Sequence, residues 1–421
     1  MNSSASDRPR RFEKTVAVSR RAWLAGLLVT GAGVVGPRGS VAQRADRPPR
    51  GAATGWRPPV TALAFSPDGR WLVSGSQAGL AIHDAETLQI CREIAVTMDQ
   101  VHALAFSTVG DRLAVAGGDP GETGRLEWYA TETWDRLTSL TVGDDSLFAV
   151  APIVAADGVA PGNPGRVRAA DPPADPAADP AADPSADPSA VPSAVPAGGP
   201  AAVPAGGQTG GQTGGRWLVA SADESAYVIA GGSDVDGDGA RPELAFRGHS
   251  GPVLAVCVLP DMETAVTGGR DQTLRVWDLR DGSRVRDLHQ HTGPVVRLRL
   301  RPAVAARPSA ALPMVASASD DRTVRLWQPT IGRMVRFARL PSVPLDIAWA
   351  ADGTRLLATC ADGRVWRIDP ETAALETLAE TSDPRPQVIA VAPHQPRGVY
   401  GGRRGRCLPF AFTSDPKPEL P

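Results

Sequence analysis

Lysine is almost missing from the 421 residues: Lys14 and Lys417 are the only two among 44 basic side chains, so positive charge is carried by arginine. A formal net charge of −2 leaves no cationic excess and argues against nucleic acid, whose phosphates demand a basic face. Aromatics are only 5%, yet ten are Trp against three Tyr and eight Phe, a skew that points to a Trp recurring at one structural position. Cysteine is scarce. Cys91, Cys257, Cys360 and Cys407 lie far apart without a CxxC or CxxCH, so neither clustered zinc ligands nor attached haem is supported. The first three fall on β-like positions that read as buried free thiols. The six histidines lack metal spacing, and neither a G-x-S-x-G elbow nor a G-x-x-x-x-G-K-S/T phosphate loop occurs, so no catalytic motif or cofactor is expected. What the chain has in excess is Gly (44) and Pro (40), together with a 42% apolar content that excludes a wholly disordered polymer.

Residues 1–42 hold seven basic residues against Asp7 and Glu13, then an apolar run (22–35) and the small-x-small end Ser40-Val41-Ala42. This order predicts an export signal cleaved after Ala42, with a run too short and too Gly-rich to span a membrane comfortably. SRRAWL (19–24), containing Arg20 and Arg21, resembles the bacterial twin-arginine export signal, with Trp23 where that family usually has Phe and Ala25 where Lys is common. The resemblance implies folded export and a periplasmic location; a general secretory signal and an uncleaved anchor are the alternatives. Gly31, Gly33 and Gly36 spell G-x-G-x-x-G, but a preceding strand and a following acidic residue are missing, so the glycines read as part of the signal.

The remainder is organised by a repeat. Segments such as VTALAFSPDG (60–69), VLAVCVLPD (253–261) and LDIAWAADG (345–353) recur, and a large apolar residue marks each unit: Phe65, Phe106, Val150, Val258, Leu300, Trp349 and Val391. Seven units of about 42 residues follow, with one oversized gap, and each reads as four short antiparallel strands. One such sheet cannot bury both faces alone, whereas a ring of seven can. GHSGPV (248–253) followed by Asp271 and Trp277-Asp278 resembles the WD-repeat signature, and HTGPVV with SASDDRTVRLWQ is a near match. The resemblance covers about residues 57–152 and 216–412 and implies an all-β, seven-bladed WD-repeat propeller. It also implies two buried structural tetrads: His249, Thr267, Asp271 and Trp277, then His291, Ser317, Asp321 and Trp327. In other units His83, Tyr129, Ile229 and Ile368 stand where the Trp is expected, and Trp134-Asp135 is out of register.

The expected layout is an export signal (1–42), a linker or ring-closing strand (43–56), blades one to three in part (57–152), an insertion (153–215), the rest of the propeller (216–412) and a tail (413–421). The closing strand is placed near 51–56, with a six-bladed or open ring as the fallback. Within the insertion, prolines from 172 to 204 fall every fourth residue before GGQTGGQTGG, a composition that reads as an extended disordered tether in blade three.

Three further features carry chemistry. Asp234, Asp236 and Asp238 spell the start of a calcium loop, but position twelve is Ala245, so an acidic turn is the preferred reading and no metal is expected. Arg299 stands in an inner strand where most units have Ala; it either meets an anion or a partner's carboxylate, or pairs internally with Asp346. In WD-repeat proteins partners commonly meet one face of turns, which by position includes Arg270, Gln272, Asp320, Arg322 and Arg364. The expected function is a non-catalytic exported scaffold for a protein or peptide partner, with no nucleic acid and no stable membrane span after signal cleavage. An exported propeller enzyme of lactonase or quinoprotein type, with bound metal or cofactor, is the alternative class.

Overall fold

In a computed structural model, residues 57–153, 215–231, 242–303, 312–380 and 385–412 are described. The expected export signal with Arg20, Arg21 and Ala42, the closing strand expected near 51–56, residues 154–214 of the expected insertion, the calcium-loop candidates Asp234, Asp236 and Asp238, and the expected tail lie outside them. Alternating apolar and polar residues with Gly or Asp turns fold each repeat into an antiparallel meander. Six sheets have four strands in simple order, and the seventh has three among the described residues. The blades run 62–94, 100–141, 147–247, 253–288, 295–339, 344–380 and 386–411. In blade three the inner strand Leu147–Ile153 pairs directly with Arg216–Ser221, so residues 154–214 connect the first two strands of one sheet.

Each core cluster draws its members from two neighbouring blades, because a meander exposes an apolar face on both sides. Val73 and Ile82 of blade one pack with Val101 and Leu113 of blade two, and Val266 and Val276 of blade four with Leu298 and Val315 of blade five. The seam between blades seven and one is the sparsest, with Leu72, Ala390 and Val399 as its buried members. Polar links reinforce it: Val60 N–H donates to Gly402 O at 3.2 Å, and Arg397 Nη1 to Glu86 O at 2.8 Å. The ends of the described chain therefore meet here.

Cross-strand register corrects one marker. Leu113 pairs with Phe106 and Ala265 with Val258, but the corresponding Trp217 pairs with Pro152, so the blade-three equivalent is Pro152 rather than Val150. A shift of two residues keeps every side chain on the same face, and the hydrophobic pattern is blind to it. The expectation of buried thiols also needs correction at Cys91, which is exposed because the outer strand Ile90–Ile94 has only one neighbour; Cys257 and Cys360 are buried.

Candidate functional site

The two complete signatures build hydrogen-bonded chains across their blades. Trp277 Nε1–H donates to Thr267 Oγ1 at 2.9 Å, Thr267 Oγ1 lies 2.7 Å from His249 Nε2, and His249 Nδ1 lies 2.9 Å from Asp271 Oδ2. Because the indole supplies the first proton, the Thr hydroxyl hydrogen goes to Nε2 and the imidazole donates from Nδ1 to the carboxylate. Blade five repeats the order: Trp327 to Ser317 at 2.8 Å, Ser317 to His291 at 2.7 Å, and His291 to Asp321 at 2.8 Å. Burial pushes the Asp321 carboxyl up, but donors from Thr323, His291 and the Thr292 amide outweigh it and hold the group down at about 2. Asp271 is held low by the same competition, with His249 as the leading donor. For His291 burial dominates and lowers its proton affinity despite Asp321.

These carboxylates also set the turns that carry the candidate partner residues. Asp271 Oδ1 accepts from the Thr273 amide at 3.2 Å, Asp321 Oδ1 from the Thr323 amide at 2.9 Å and Asp362 Oδ1 from the Arg364 amide at 3.1 Å. The residue between adopts a left-handed backbone, φ 69° at Gln272 and 64° at Arg322, with Gly363 at the matching place in blade six. Gln272, Asp320 and Arg322 project into solvent and Arg270 is half-buried. Arg270 and Asp320, on neighbouring blades, are close enough for each to favour the other's charged form against the cost of burial. Arg364 departs from the expected arrangement: it opens the strand Arg364–Ile368 instead of sitting in the turn, and its Nη2 donates to Glu380 at 3.2 Å.

Units without the full signature substitute other networks, which the WD signature does not announce. His83, in the Trp position of blade one, meets Ser74 Oγ at 2.9 Å. In blade two the fully buried Glu127 accepts from Tyr129 OH at 2.6 Å and from the Thr97 amide at 3.2 Å. In blade three Tyr227 OH donates to Asp223 at 2.7 Å. Trp134 closes a turn with φ 62° and packs edge-on against Trp71 of blade one, with ring centroids 6.1 Å apart.

The inner strands line a central cavity of about 660 Å³, bordered by His102, Phe148, Arg297, Arg299, Asp346 and Trp349 among others. Arg299 Nη2 donates to Asp346 Oδ1 at 3.3 Å, and Arg297 Nε lies 3.2 Å from the same oxygen. The internal partner expected for Arg299 is thus in place, shared with a second arginine. Among the described residues, no group of three or more His, Cys, Asp or Glu side chains converges to hold a metal, and no helix is long and apolar enough to cross a membrane.

Seven radial meanders form a seven-bladed β-propeller, and complete Trp–Thr/Ser–His–Asp chains of the WD40-repeat type run through blades four and five. The WD40 family (WD domain, G-beta repeat) matches residues 51–81, 240–278 and 282–328. The chain is similar to telomerase protein component 1 of Rattus norvegicus, 31% identical over 164 residues, 38% of this chain and 6% of that protein. It is also similar to small ribosomal subunit protein RACK1 of Drosophila melanogaster (32% identity, 29% of this chain, 39% of that protein). A third likeness is to eukaryotic translation initiation factor 3 subunit I of Pyricularia oryzae (28% identity, 28% of this chain, 32% of that protein). The alignments therefore span well under half the length of each.

Proposed function

We propose that the protein is a non-catalytic scaffold that binds a protein or peptide partner on the propeller face formed by the turns at Arg270, Gln272, Asp320 and Arg322. The observation that carries this reading is the coupling of the tetrads to those turns: Asp271 and Asp321 each terminate a buried chain and at the same time cap the turn. A face whose backbone is held in advance loses little entropy on binding, which suits recognition by exposed side chains. The likeness to WD-repeat proteins of assembled complexes, a ribosomal subunit and an initiation factor, agrees with a binding role. The polar residues of the best-preserved repeats are spent on internal structure, so a catalytic constellation of lactonase or quinoprotein type has few candidates. Metal analysis and absorbance of the purified protein decide between the classes: a scaffold carries no stoichiometric metal or chromophore, and finding either overturns the reading.

Export to the bacterial periplasm is part of the proposal and rests on SRRAWL and the following apolar run. Fusing residues 1–50 to a reporter and replacing Arg20 and Arg21 by Lys tests it: export should stop with the paired replacement. Reporter that stays inside with the native segment contradicts it.

A further inference from the structure

We infer that the central channel binds a carboxylate anion between Arg297 and Arg299, a site separate from the turn face and independent of the scaffold reading. Two guanidinium groups enter the cavity, and among the described residues Asp346 is the one acidic side chain lining it. Its oxygens are already engaged: Oδ1 accepts from the Ile347 amide at 2.9 Å and meets both arginines, and Oδ2 accepts from the Ile389 amide at 3.0 Å. One positive charge therefore remains without a counter-ion among the described lining residues.

Each arginine also spends one Nη on the backbone, Arg297 on Val296 O at 2.9 Å and Arg299 on Leu298 O at 3.0 Å. Both side chains line the channel, Arg297 with 26% and Arg299 with 43% of its surface accessible. Most of the surrounding wall is apolar, including Phe148, Ala149, Ala255, Ala348 and Trp349. In such a low-polarity enclosure a charge-assisted hydrogen bond is stronger than on the open surface.

A second observation comes from another blade. His102 is the extra residue of a bulge, because Val101 pairs with Gly117 and Ala103 with Ala116, leaving it opposite no partner. The bulge places it on the channel wall against Phe148, with ring centroids 5.2 Å apart, and its Nε2 is buried with no hydrogen-bond partner. A buried unpaired nitrogen is costly unless something satisfies it. Burial, with the nearby Arg297 charge, keeps this imidazole neutral, so it adds no further charge to the channel wall. A single excess charge, planar donors and apolar walls together fit an organic monocarboxylate with an apolar body. A free small acid and the C-terminal carboxylate of a peptide share that chemistry.

Calorimetric titration of the full chain with sodium benzoate, and with benzamide as the neutral isostere, tests the site. A short alanine peptide ending in Phe, as free acid and as amide, separates the two sources. One saturable site for benzoate, no binding of benzamide, and at least a ten-fold loss of affinity in Arg299→Gln are expected. If the peptide acid binds and its amide does not, the source is a chain terminus; if only benzoate binds, it is a small acid. Arginine Nε–H shifts in the unaltered protein during the benzoate titration guard against a variant that fails to fold. No saturable binding of either acid, equal binding of benzamide, or unchanged affinity in folded Arg299→Gln overturns the inference.

Discussion

Arg297 Nε lies 3.2 Å from Asp346 Oδ1, joining the inner strands of blades five and six at equivalent places in their repeats. Asp346 simultaneously accepts from Ile389 N on blade seven, so one carboxylate ties three blades together. Asp346→Ala leaves two arginines and the Ile347 and Ile389 amides without their side-chain acceptor and is expected to cost about 3–5 kcal/mol. Arg299→Ala, at a side chain 43% accessible, is expected to stay within about 1 kcal/mol. Urea unfolding midpoints check both; an Asp346→Ala variant as stable as Arg299→Ala contradicts the assignment.

Thr267 accepts from Trp277 and bonds His249, so its hydroxyl serves two buried groups at once. Thr267→Val should destabilise by roughly 2–3 kcal/mol, and Ser317→Ala by a similar amount. Adding Trp277→Phe to Thr267→Val should cost less than it does alone, because the indole donor has already lost its acceptor. Strictly additive losses in a double-mutant cycle would falsify the series connection.

Much of this was legible in the sequence, and the reasons for the rest are specific. Asp271 with Trp277 and Asp321 with Trp327 stand at fixed spacing within one hairpin, so both tetrads could be placed from the repeat. His83 with Ser74, Glu127 with Thr97 and Tyr227 with Asp223 could not, because these pairs use different side-chain types whose meeting depends on cross-strand register. His102 was invisible for a related reason: a bulge adds one residue to one strand, and an alternation pattern does not reveal on which side it protrudes. The Val150 assignment missed by two residues, the shift that preserves the apolar face. Arg299 was singled out by its Ala equivalents, but the net charge left beside Asp346 emerged only when Arg297 was placed at the same carboxylate.

Burial first, and the Arg297 charge second, push His102 down to about 4, opposed by Asp145. A histidine with a depressed folded value is stabilising while both states are neutral, and that stability is lost as pH falls from its unfolded value near 6.5 towards 4. The unfolded chain takes up the proton first, and the full span corresponds to roughly 3 kcal/mol. His83 and His291 are shifted in the same direction, chiefly by burial. Melting temperatures should therefore fall between pH 7 and pH 4.5, and His102→Gln should flatten the profile. An unchanged slope in that variant contradicts the assignment.

Burial raises the thiols of Cys257 and Cys360 to about 12 and of Cys407 to about 11, whereas Cys91 is exposed. The thiolate is the reactive form, so a disulfide-exchange reagent should titrate one thiol rapidly in the native protein and four after unfolding. Cys91→Ser should abolish the rapid phase; a rapid phase that survives the substitution places the reactive thiol elsewhere.

The most direct measurement of the scaffold reading is quantitative affinity capture by the full chain, comparing the native protein with Arg270→Ala/Gln272→Ala/Arg322→Ala. All three substitutions lie at turn residues outside the buried chains, so the variant should stay folded, with a melting temperature lowered slightly by the loss of Arg270 beside Asp320. A protein retained in stoichiometric amount by the native chain and lost at least ten-fold from the triple variant is the expected result. Equal retention by both, or no protein retained by either, would contradict it.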